Sequence, residues 1–509
     1  MGGPKWVARE QWPESREQGR QNDADTVMKR RTFLIGTASG LSIFALAACT
    51  TPKPVPTPSV TPTVSPSSIP RPQAMRRTSW SADPFARGSF SFQAVGSTPE
   101  HRTALREPVL DRLFFAGEAT AIDAPGTVQG ARDSGLRAAR EVEAAATAGE
   151  RIAVIGAGMA GISAARRLKN AGYSVVVIEA RGRVGGRIET VTDDEWPFPI
   201  ELGPSFIRDA AASSIDAELT SLGVETLPFT GGAETRTEKG DIVEVPSTGA
   251  DAVAAAIAWA AGQPQDVSIA QALTDSGASD LSSTDAANGV SDAGWLEHEV
   301  ATALEPDTGA SVDQLSAWYG PNPRQGAVSL DDDLIVVGGY ATLVIDAAVD
   351  LDLLASSVVT RIAYDSEGVS LRLATGESLS ADRVIVTVPL GVLKTDAMEF
   401  DPSLPFAHRG AIAALGMGVL DKVWLRFDEP FWSTDAPLWM TVGGDSDFPV
   451  WINMLPLTGD PVLMGLVTAE GAVRLADVDE DELVEAALRS LEPFAEPGAG
   501  QSSPTGSPD

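Results

Sequence analysis

Three glycines in the spacing G-x-G-x-x-G stand in a stretch that could hold a phosphate group. Gly156, Gly158 and Gly161 follow a short apolar run, and Glu179 closes the next apolar run. In a strand–turn–helix unit the first two glycines allow a tight turn and a close backbone approach to a pyrophosphate, and the third allows close helix–strand packing. A carboxylate at Glu179 could accept hydrogen bonds from ribose hydroxyls. The pattern favours dinucleotide binding over a glycine-rich turn that serves packing alone.

The elements that must position these residues form a βαβ unit. Apolar runs predict buried strands at residues 152–155 and 175–178, and residues 164–168 continue a helix between them. We therefore expect the glycine turn at the carboxyl end of a parallel strand, facing the N-terminus of a helix.

One lysine interrupts an apolar segment further along the chain. Lys422 lies within residues 415–432, LGMGVLDKVWLRFDEPFW. A buried ammonium group is costly unless it is paired or has a function. The alternative is a lysine at a strand edge that extends its charged end to solvent.

Composition excludes several function classes. The chain has 509 residues and a formal net charge of −32, which argues against nucleic acid as a partner because a phosphate backbone needs a basic face. With Cys49 as the single cysteine and only three scattered histidines, neither a disulfide framework nor a metal site is expected.

The N-terminal region has the features of an export signal. Arg30 and Arg31 precede an apolar run that ends in Leu-Ala-Ala-Cys at Cys49, which resembles a twin-arginine signal with a lipobox. We expect Cys49 to be lipidated and the protein to be extracytoplasmic, anchored to the cell membrane; the alternative is an anchor helix with an incidental cysteine. Met28 then competes with Met1 as the start of the chain. The Pro/Thr/Ser-rich segment that follows predicts an extended linker.

Residues 179–187, EARGRVGGR, resemble the flavin-containing amine oxidases: monoamine oxidases, polyamine oxidases and flavin histone demethylases. Segments 201–205, 331–343, 358–362, 383–393 and 415–432 resemble further parts of that family. The resemblance implies bound FAD, with Arg181 and Arg187 at the diphosphate, where guanidinium groups suit phosphate, and Val359 at the adenine.

The resemblance extends the cofactor site to residues upstream of the glycine unit. It implies that Glu118 lies along the diphosphate and ribityl chain, with a solvated turn residue as the alternative. The full set that it places at the cofactor is Gly156, Ala157, Gly158, Ala160, Gly161, Glu179, Ala180, Arg181, Gly185, Gly186, Arg187, Gly203, Pro204, Ser205, Val359, Gly117, Glu118, Thr127 and Val128.

The order of the motifs differs from that of the family. Residues 80–92, 113–120 and 126–139 resemble the segments with which the family ends, yet here they precede the glycine unit. This order predicts a circular permutation with its break between Leu491 and Trp80. The alternative, a rearrangement that left a nonfunctional chain, is disfavoured because every cofactor motif is intact. We expect residues 113–116 to form a strand in the same sheet as residues 152–155.

The implied reaction is hydride transfer from the carbon next to an amine nitrogen to flavin N5, hydrolysis of the imine, and reoxidation by oxygen with release of H2O2. In the family a lysine at the position of Lys422 holds a water against N5. Phe90 and Thr127 occupy the positions of the two tyrosines that enclose the substrate nitrogen in monoamine oxidases; the phenylalanine keeps an aromatic face for the amine. With no cysteine near the flavin motifs, we expect noncovalent FAD.

The substrate is less constrained. A primary or secondary amine is implied, and a di- or polyamine is favoured; Glu297 and Asp313 could bind a distal ammonium group or form a solvated face. An L-amino acid would need an arginine, such as Arg324, for its carboxylate. A related flavin dehydrogenase or desaturase that uses a membrane acceptor, and a noncatalytic flavin-binding surface lipoprotein, remain as alternatives.

The expected fold class is α/β, a Rossmann-like FAD-binding domain of the GR2 type with an interleaved α+β substrate domain. We expect the following order: signal 1–48; linker 49–75; permuted C-terminal part of the FAD-binding domain 76–147; Rossmann βαβ 148–215; helical part of the substrate domain 216–330; FAD-binding domain, continued, 331–400; substrate domain, continued, 401–494; disordered tail 495–509.

Overall fold

The computed structural model describes residues 67, 69–208, 213–320, 333–444 and 446–496. The predicted export signal, Cys49, Arg324 and the tail from residue 497 lie outside the described residues. Within these ranges, no helix is long and apolar enough to cross a bilayer.

A five-stranded parallel sheet carries the glycine unit. Four of its strands are mostly buried and apolar, as expected for a parallel sheet covered on both faces, whereas the edge strand Asp352–Leu354 is largely exposed. Ile155 is paired with Ile178 on one side and Val386 on the other, so the carboxyl ends of these strands are level. The strands, in spatial order, are Asp352–Leu354, Ser174–Ile178, Arg151–Ile155, Arg383–Val386 and Leu113–Phe115.

Two helices that come from separate parts of the chain pack together beside this sheet. Met159–Asn170 follows the glycine turn, and Val128–Ala145 precedes the first strand of the unit. They cross closely, because a Cβ added at Gly135 would clash with the carbonyl oxygen of Ala160. The helix that begins at Val128 therefore belongs to the same domain as the βαβ unit. The expected strand at residues 113–116 also lies in the expected sheet, at its edge.

A second, seven-stranded sheet carries Lys422. Its core is rich in tryptophan, and Trp424, Trp439 and Trp451 are almost fully buried. All neighbouring strands are antiparallel except the pair Leu438–Val442 and Ala233–Thr237. The strands, in spatial order, are Ala74–Arg77, Leu420–Arg426, Val462–Thr468, Val450–Asn453, Leu438–Val442, Ala233–Thr237 and Ile242–Val243.

This sheet corrects two of the predicted boundaries. Ala74–Arg77 pairs with Leu420–Arg426, and Ile69 is buried against the sheet's core, so the folded part begins before residue 76 and the linker cannot extend to residue 75. The segment predicted as the helical part of the substrate domain also contributes two strands, Ala233–Thr237 and Ile242–Val243. Both differences arise because these short strands are specified by long-range pairing rather than by local pattern.

The remaining strands form small sheets. These are Val359–Tyr364, Val369–Leu373, Ser378–Ala381 and Glu399–Asp401; Phe206–Ile207, Leu334–Val336 and Thr226–Pro228; Phe90–Phe92 with Gly416–Gly418; and Thr190–Val191 with Ile200–Glu201.

The other helices lie around the two larger sheets. They are Pro99–Arg106, Ile215–Ser221, Thr248–Ala260, Ile269–Ser276, Asp292–Glu299, Glu305–Thr308, Ala341–Ala348, Leu390–Leu393, Phe406–Ala414, Leu455–Thr458, Ala469–Leu475 and Glu480–Leu491, with a π-helical turn at Val300–Leu304 and 3-10 turns at Glu118–Thr120 and Glu492–Phe494.

Candidate active site

The glycine turn contains one glycine that the fold itself does not require. Gly156 has a φ of 107°, and a Cβ at Gly161 would clash with the carbonyl oxygen of Gly156. Gly158 has an ordinary φ of −78°, and the nearest atom to a Cβ there would be 3.7 Å away. A side chain at Gly158 would therefore fit the protein but would occupy the space in front of the helix that starts at Met159.

The same position leaves a helix N-terminus without a side-chain cap. Gly158 is the N-cap residue of Met159–Asn170, and it has no side chain to accept a hydrogen bond from the first-turn N–H groups. Uncapped N–H groups and the helix dipole together favour an anion. This geometry fits the pyrophosphate of a dinucleotide. Ala157, directly before Gly158, and Ala160, in the first turn of the helix, are both buried.

Glu179 is buried and held by the turn. Its carboxylate accepts hydrogen bonds from the backbone N–H of Ala157 at 2.7 Å and of Arg181 at 2.8 Å. Its carbonyl oxygen accepts the N–H of Ser357 at 2.8 Å, which brings the start of the strand of Val359 beside it. Each carboxylate oxygen has further lone pairs for ribose hydroxyls.

Arg181 contacts a residue that the sequence did not single out. Its guanidinium group forms an ion pair with Asp83 at 2.6 Å and lies 5.4 Å from the ring centroid of Phe85. Ala180 connects it to Glu179. Arg181 therefore ties the glycine unit to the upstream block, and its predicted contact with the diphosphate stays a prediction.

The next glycines bring three backbone segments together. Gly185 forms a bridge with Gly158 and donates its N–H to the carbonyl oxygen of Ala157 at 2.9 Å. Gly186 has a φ of 62°, and a Cβ added there would lie 3.3 Å from the Cα of Gly158. A Cβ at Gly203 would clash with the carbonyl oxygen of Arg187. The predicted cofactor residues of the glycine turn, of 185–187 and of 203–205 thus form one continuous surface.

Glu118 is a buried carboxylate between two guanidinium groups. It accepts hydrogen bonds from Ser91 Oγ at 2.6 Å, Gly126 N–H at 3.1 Å and Arg187 Nη1 at 2.9 Å. Burial alone would raise its pKa, but the charges of Arg187 and Arg102 and the hydrogen bond from Ser91 hold the pKa below its usual range. Glu118 is thus an ionised, immobilised group and not a solvated turn residue.

A small pocket lies at the carboxyl ends of Leu113–Phe115 and Arg383–Val386. Gly117, Glu118 and Arg187 line it. In parallel sheets, ligands bind at the carboxyl ends of the strands, so the cavity lies at the expected edge.

The two predicted substrate-enclosing residues are neighbours. A Cβ at Gly126 would lie 3.6 Å from the Phe90 ring, and Thr127 follows directly. The Thr127 hydroxyl is the N-cap of the helix that begins at Val128: it accepts from Gly130 N–H at 2.9 Å and donates to the Ala124 carbonyl oxygen at 2.8 Å. Thr127 therefore orients a helix N-terminus, while Phe90 contributes an aromatic surface.

Lys422 is buried and held by residues of the glycine-rich surface. Its ammonium group donates hydrogen bonds to the carbonyl oxygen of Gly203, to Ser205 Oγ and, at 3.4 Å, to the carbonyl oxygen of Glu201. Pro204 lies between two of these partners. Burial lowers the pKa of Lys422 to about 7, against the opposing charge of Glu201. Lys422 is not a lysine that reaches solvent at a strand edge, since only 6% of it is exposed.

Glu201 is a second titratable group in the same place. Burial raises its pKa to about 7, although the backbone N–H of Tyr340, the Thr190 hydroxyl and the charge of Lys422 each favour the ionised form. Its carboxylate accepts hydrogen bonds from Tyr340 N–H and Thr190 Oγ1, both at 2.7 Å. Lys422 and Glu201 are thus a coupled pair whose protonation changes near neutral pH.

Besides Asp83, sequence reasoning missed Ser91, Arg102 and Thr387. Ser91 donates to Glu118, Arg102 donates to Ser91, and Thr387 Oγ1 donates to the Ile155 carbonyl oxygen at 2.8 Å, behind the glycine turn. Ser91 lies between two phenylalanines, and Thr387 directly follows the strand Arg383–Val386. Both positions could have indicated a role in the site. Arg102 gave no signal, because its helix carries several charged residues. Glu297 and Asp313 are exposed, which favours the solvated-face interpretation.

Comparison with known protein families matches residues 59–143 and 159–504 to the family described as flavin containing amine oxidoreductase. Polyamine oxidase 4 of Oryza sativa subsp. japonica is 29% identical over 365 residues, which cover 68% of this chain and 73% of that protein. Lysine-specific histone demethylase 2 of Homo sapiens is 26% identical over 360 residues, 67% of this chain and 43% of that protein.

Among solved structures, cyclohexylamine oxidase from Brevibacterium oxydans IH-35A has a TM-score of 0.54 at 22% identity and covers 69% of this chain and 83% of that one. A wild-type putrescine oxidase bound to putrescine has a TM-score of 0.52 at 21% identity, with coverage of 70% and 84%. These two show likeness of fold, which confirms the Rossmann-like α/β class. The chain belongs to the flavin containing amine oxidoreductase family and is an FAD-dependent amine oxidoreductase.

Proposed function

We propose that this protein is an exported oxidase that converts a primary or secondary amine, most simply a di- or polyamine, to an imine and reduces O2 to H2O2. The observation that carries the proposal is the contact of the Lys422 ammonium group with Gly203 and Ser205, on the surface shared with the glycine turn. The similarity to proteins named polyamine oxidase supports the substrate class.

The residues present fit FAD. Gly158 with the helix N-terminus at Met159 would hold the diphosphate, and Glu179 would bind the adenosine ribose. Gly117 and Glu118 would lie along the diphosphate and the ribityl chain of FAD. When bound, FAD supplies the acceptor for the hydride of the carbon next to the amine nitrogen and the donor of electrons to oxygen. The described residues contain no cysteine, and noncovalent binding is part of the proposal.

Lys422 can hold or release a proton without losing its partners. As an ammonium group it has three donors for the oxygens of Glu201, Gly203 and Ser205. As a neutral amine it can donate to the two carbonyl oxygens and accept the Ser205 hydroxyl proton. A pKa of about 7 makes both states accessible at neutral pH, which suits a group that assists proton transfer.

The amine must lose its own proton before its C–H bond can be oxidised, because only the neutral amine has a lone pair to donate. Phe90 provides an apolar, aromatic wall that disfavours the ammonium form by desolvation. The Thr127 hydroxyl is already bonded at both ends, so it would not replace a tyrosine of the family as a hydrogen-bonding partner for the substrate.

The test is a panel of monoamines, diamines, polyamines and L-amino acids with peroxide detection on FAD-loaded protein. We expect peroxide with the di- and polyamines and little with the amino acids. Amine-dependent bleaching of the flavin without peroxide would replace the oxidase with a dehydrogenase. No bleaching with any amine would leave a flavin-binding protein and contradict the proposal.

A circular permutation is a further part of this proposal. Three observations support it: Leu113–Phe115 pairs with Arg383–Val386 in the sheet of the βαβ unit; Arg71 forms ion pairs with Asp481 at 3.1 Å and Glu485 at 2.6 Å; and the family matches the chain in two separate segments. The N-terminal side of the described chain therefore lies against the helix that ends at Leu491.

Restoring the family order tests the permutation. A rearranged chain that begins at residue 148, runs to residue 496 and continues through a short Gly/Ser linker into residues 69–147 should fold and bind FAD with the same visible spectrum. A rearranged chain that neither folds nor binds FAD would contradict it.

We also propose export by the twin-arginine route and lipid attachment at Cys49, on the sequence features of residues 29–49. Mass spectrometry of the mature N-terminus should find an acylated Cys49. Replacement of Arg30 and Arg31 by lysine should leave the protein in the cytoplasm. An unmodified Cys49, or export that is unchanged in the double lysine variant, would contradict the respective part.

A further inference from the structure

A buried arginine stands behind the cofactor surface and has no role in the function described so far. Arg102, on helix Pro99–Arg106, is 3% exposed. Its Nη1 donates to Ser91 Oγ at 2.7 Å and to the Ala119 carbonyl oxygen at 3.0 Å, and its Nη2 to the Ser91 carbonyl oxygen at 3.4 Å. Within the described part of the chain, its Nε has no hydrogen-bond partner.

Ser91 connects Arg102 to Glu118, on the predicted cofactor surface. Its hydroxyl donates to Glu118 Oε2 at 2.6 Å, and its N–H to the same oxygen at 3.3 Å. Arg187 Nη1 binds the other oxygen, Oε1, at 2.9 Å. The chain Arg102–Ser91–Glu118–Arg187 therefore joins four separate segments by side-chain hydrogen bonds.

Phe90 is fixed by the same chain. It is the residue before Ser91 on strand Phe90–Phe92, whose other edge pairs with Gly416–Gly418. Because Arg102 holds both the hydroxyl and, more weakly, the carbonyl group of Ser91, it restricts the strand that presents the Phe90 ring. Through Ser91, Arg102 is thus connected to a predicted cofactor contact and to the strand of the predicted aromatic wall.

The charges of these four hydrogen-bonded side chains do not cancel. Two guanidinium groups face one carboxylate, so the cluster carries one net positive charge next to the cavity lined by Glu118 and Arg187. A buried excess charge is costly unless a counterion approaches it. The FAD diphosphate is an anion of the required sign, and Arg102 is the least exposed member of the cluster.

We propose that Arg102 is a positioning residue: through Ser91 it holds Glu118 and the Phe90 strand in the geometry that retains FAD and receives the amine. Loss of its side chain removes the hydrogen bonds that Ser91 Oγ and the Ala119 carbonyl oxygen accept from it. Glu118 is then left with a single cation, Arg187. The inference depends on the assignment of FAD and not on which amine is oxidised.

The experiment compares Arg102→Met, Arg102→Lys and a control, Arg106→Met. The control removes the same charge from the same helix, at a residue that is not part of the series Arg102–Ser91–Glu118–Arg187. The readouts are the rate of FAD release from the holoprotein, followed by free-flavin fluorescence, and kcat and KM for the best amine of the panel. We expect release from Arg102→Met about tenfold faster than from the wild type, release from the other two within about 1.5-fold of the wild type, and a raised KM for Arg102→Met.

A double-mutant cycle with Glu118→Gln tests the route of the effect. If Arg102 acts through Glu118, the double variant should release FAD no faster than the faster single variant, since the linked effects do not add. Ser91→Ala cuts the same link without removing a charge and should accelerate FAD release about threefold. This variant tests the link even if Arg102→Met does not fold.

The outcomes separate a positioning role from a structural one. Wild-type FAD release and KM in Arg102→Met, with only a lower melting temperature, would overturn the proposal. Equal losses in Arg102→Lys and Arg102→Met, additive effects in the double variant, or wild-type release in Ser91→Ala would also overturn it. FAD release can be measured even if no amine is turned over, so failure of the proposed oxidase activity remains a separate result.

Discussion

Two regions of the site bury positive charge in opposite ways. The Lys422 ammonium group donates to uncharged acceptors, the backbone carbonyl oxygens of Glu201 and Gly203 and the Ser205 hydroxyl, and burial lowers its pKa to about 7. Arg102 lies near a carboxylate, Glu118, whose pKa stays below its usual range although burial opposes it. The first region can change its charge at neutral pH, and the second cannot.

The difference follows from the side chains and their partners. A lysine can lose its proton when it is desolvated, whereas a guanidinium group keeps its charge in proteins. Dipolar acceptors stabilise an ammonium group less than a carboxylate does. Under the proposed function, the titratable group lies where a proton would be transferred, and the permanent charge network lies where FAD would be held.

The largest expected effect is the loss of the carboxylate from the permanent network. Glu118→Gln keeps the shape but leaves Arg102 and Arg187 without their counterion, and breaking a buried pair in this way costs about 3–5 kcal/mol. Denaturant unfolding of the apoprotein measures the change. Glu141→Gln is the control, because Glu141 pairs with Arg137 on a partly exposed helix face and its loss should cost only about 0.5 kcal/mol.

Equal changes in the two variants would show that Glu118 is not the centre of a buried charge network. Glu118 and its two arginines would then no longer represent a region of permanent buried charge.

Replacement of the titratable cation should lower catalysis. Lys422→Met removes the proton carrier, and loss of a general acid or base reduces the rate by about 100-fold or more. The control is Lys394→Met, which removes another lysine whose pKa burial lowers and which donates to the Ala413 carbonyl oxygen outside the site. We expect kcat of the control within about twofold of the wild type.

Steady-state turnover with the best amine of the panel measures both variants. Unchanged turnover in Lys422→Met would remove Lys422 from the reaction.

The local parts of this site could be predicted from the sequence. The turn of Gly156, the helix after it and the position of Glu179 follow from apolar runs and glycine spacing within one stretch of chain. The isolated position of Lys422 in an apolar segment also indicated a buried amine, which the structure shows.

The long-range parts could not be predicted. Arg102 stands in a charged helix that reads as a solvated surface, and it is buried only because Ser91 and Ala119 come from other segments. The strand Ala74–Arg77 was missed for the same reason, since its partner strand begins at Leu420. The raised pKa of Glu201 depends on burial, which sequence pattern does not give.

The stability of Lys422→Met should depend on pH. A lysine with a folded pKa of about 7 costs stability wherever folding must keep it protonated, so the cost is full below that pH and fades as the pH rises toward the lysine's ordinary pKa. We expect the variant to be more stable than the wild type by about 2 kcal/mol near pH 6 and by less near pH 9. Denaturant unfolding at both pH values measures this, and a gain that is the same at both would contradict the lowered pKa.

The smallest effect concerns the partner carboxylate. The charge of Glu201 raises the pKa of Lys422, so Glu201→Gln should lower it further, by about one unit or less. The measurement is the pH at which the oxygen reaction of the reduced enzyme reaches half of its maximal rate. A midpoint that moves upward in Glu201→Gln would show that the two groups are not coupled as the structure indicates.

The most direct test is the pH dependence of that oxygen reaction in wild type and Lys422→Met, started from chemically reduced, FAD-loaded protein so that no substrate amine titrates. A protonated Lys422 stabilises the negative charge that develops as oxygen is reduced. We predict a rate that falls as pH rises through about 7 in the wild type and a flat, slower profile in Lys422→Met. A wild-type profile without a transition near this pH, or the same transition in the variant, would contradict a titratable Lys422.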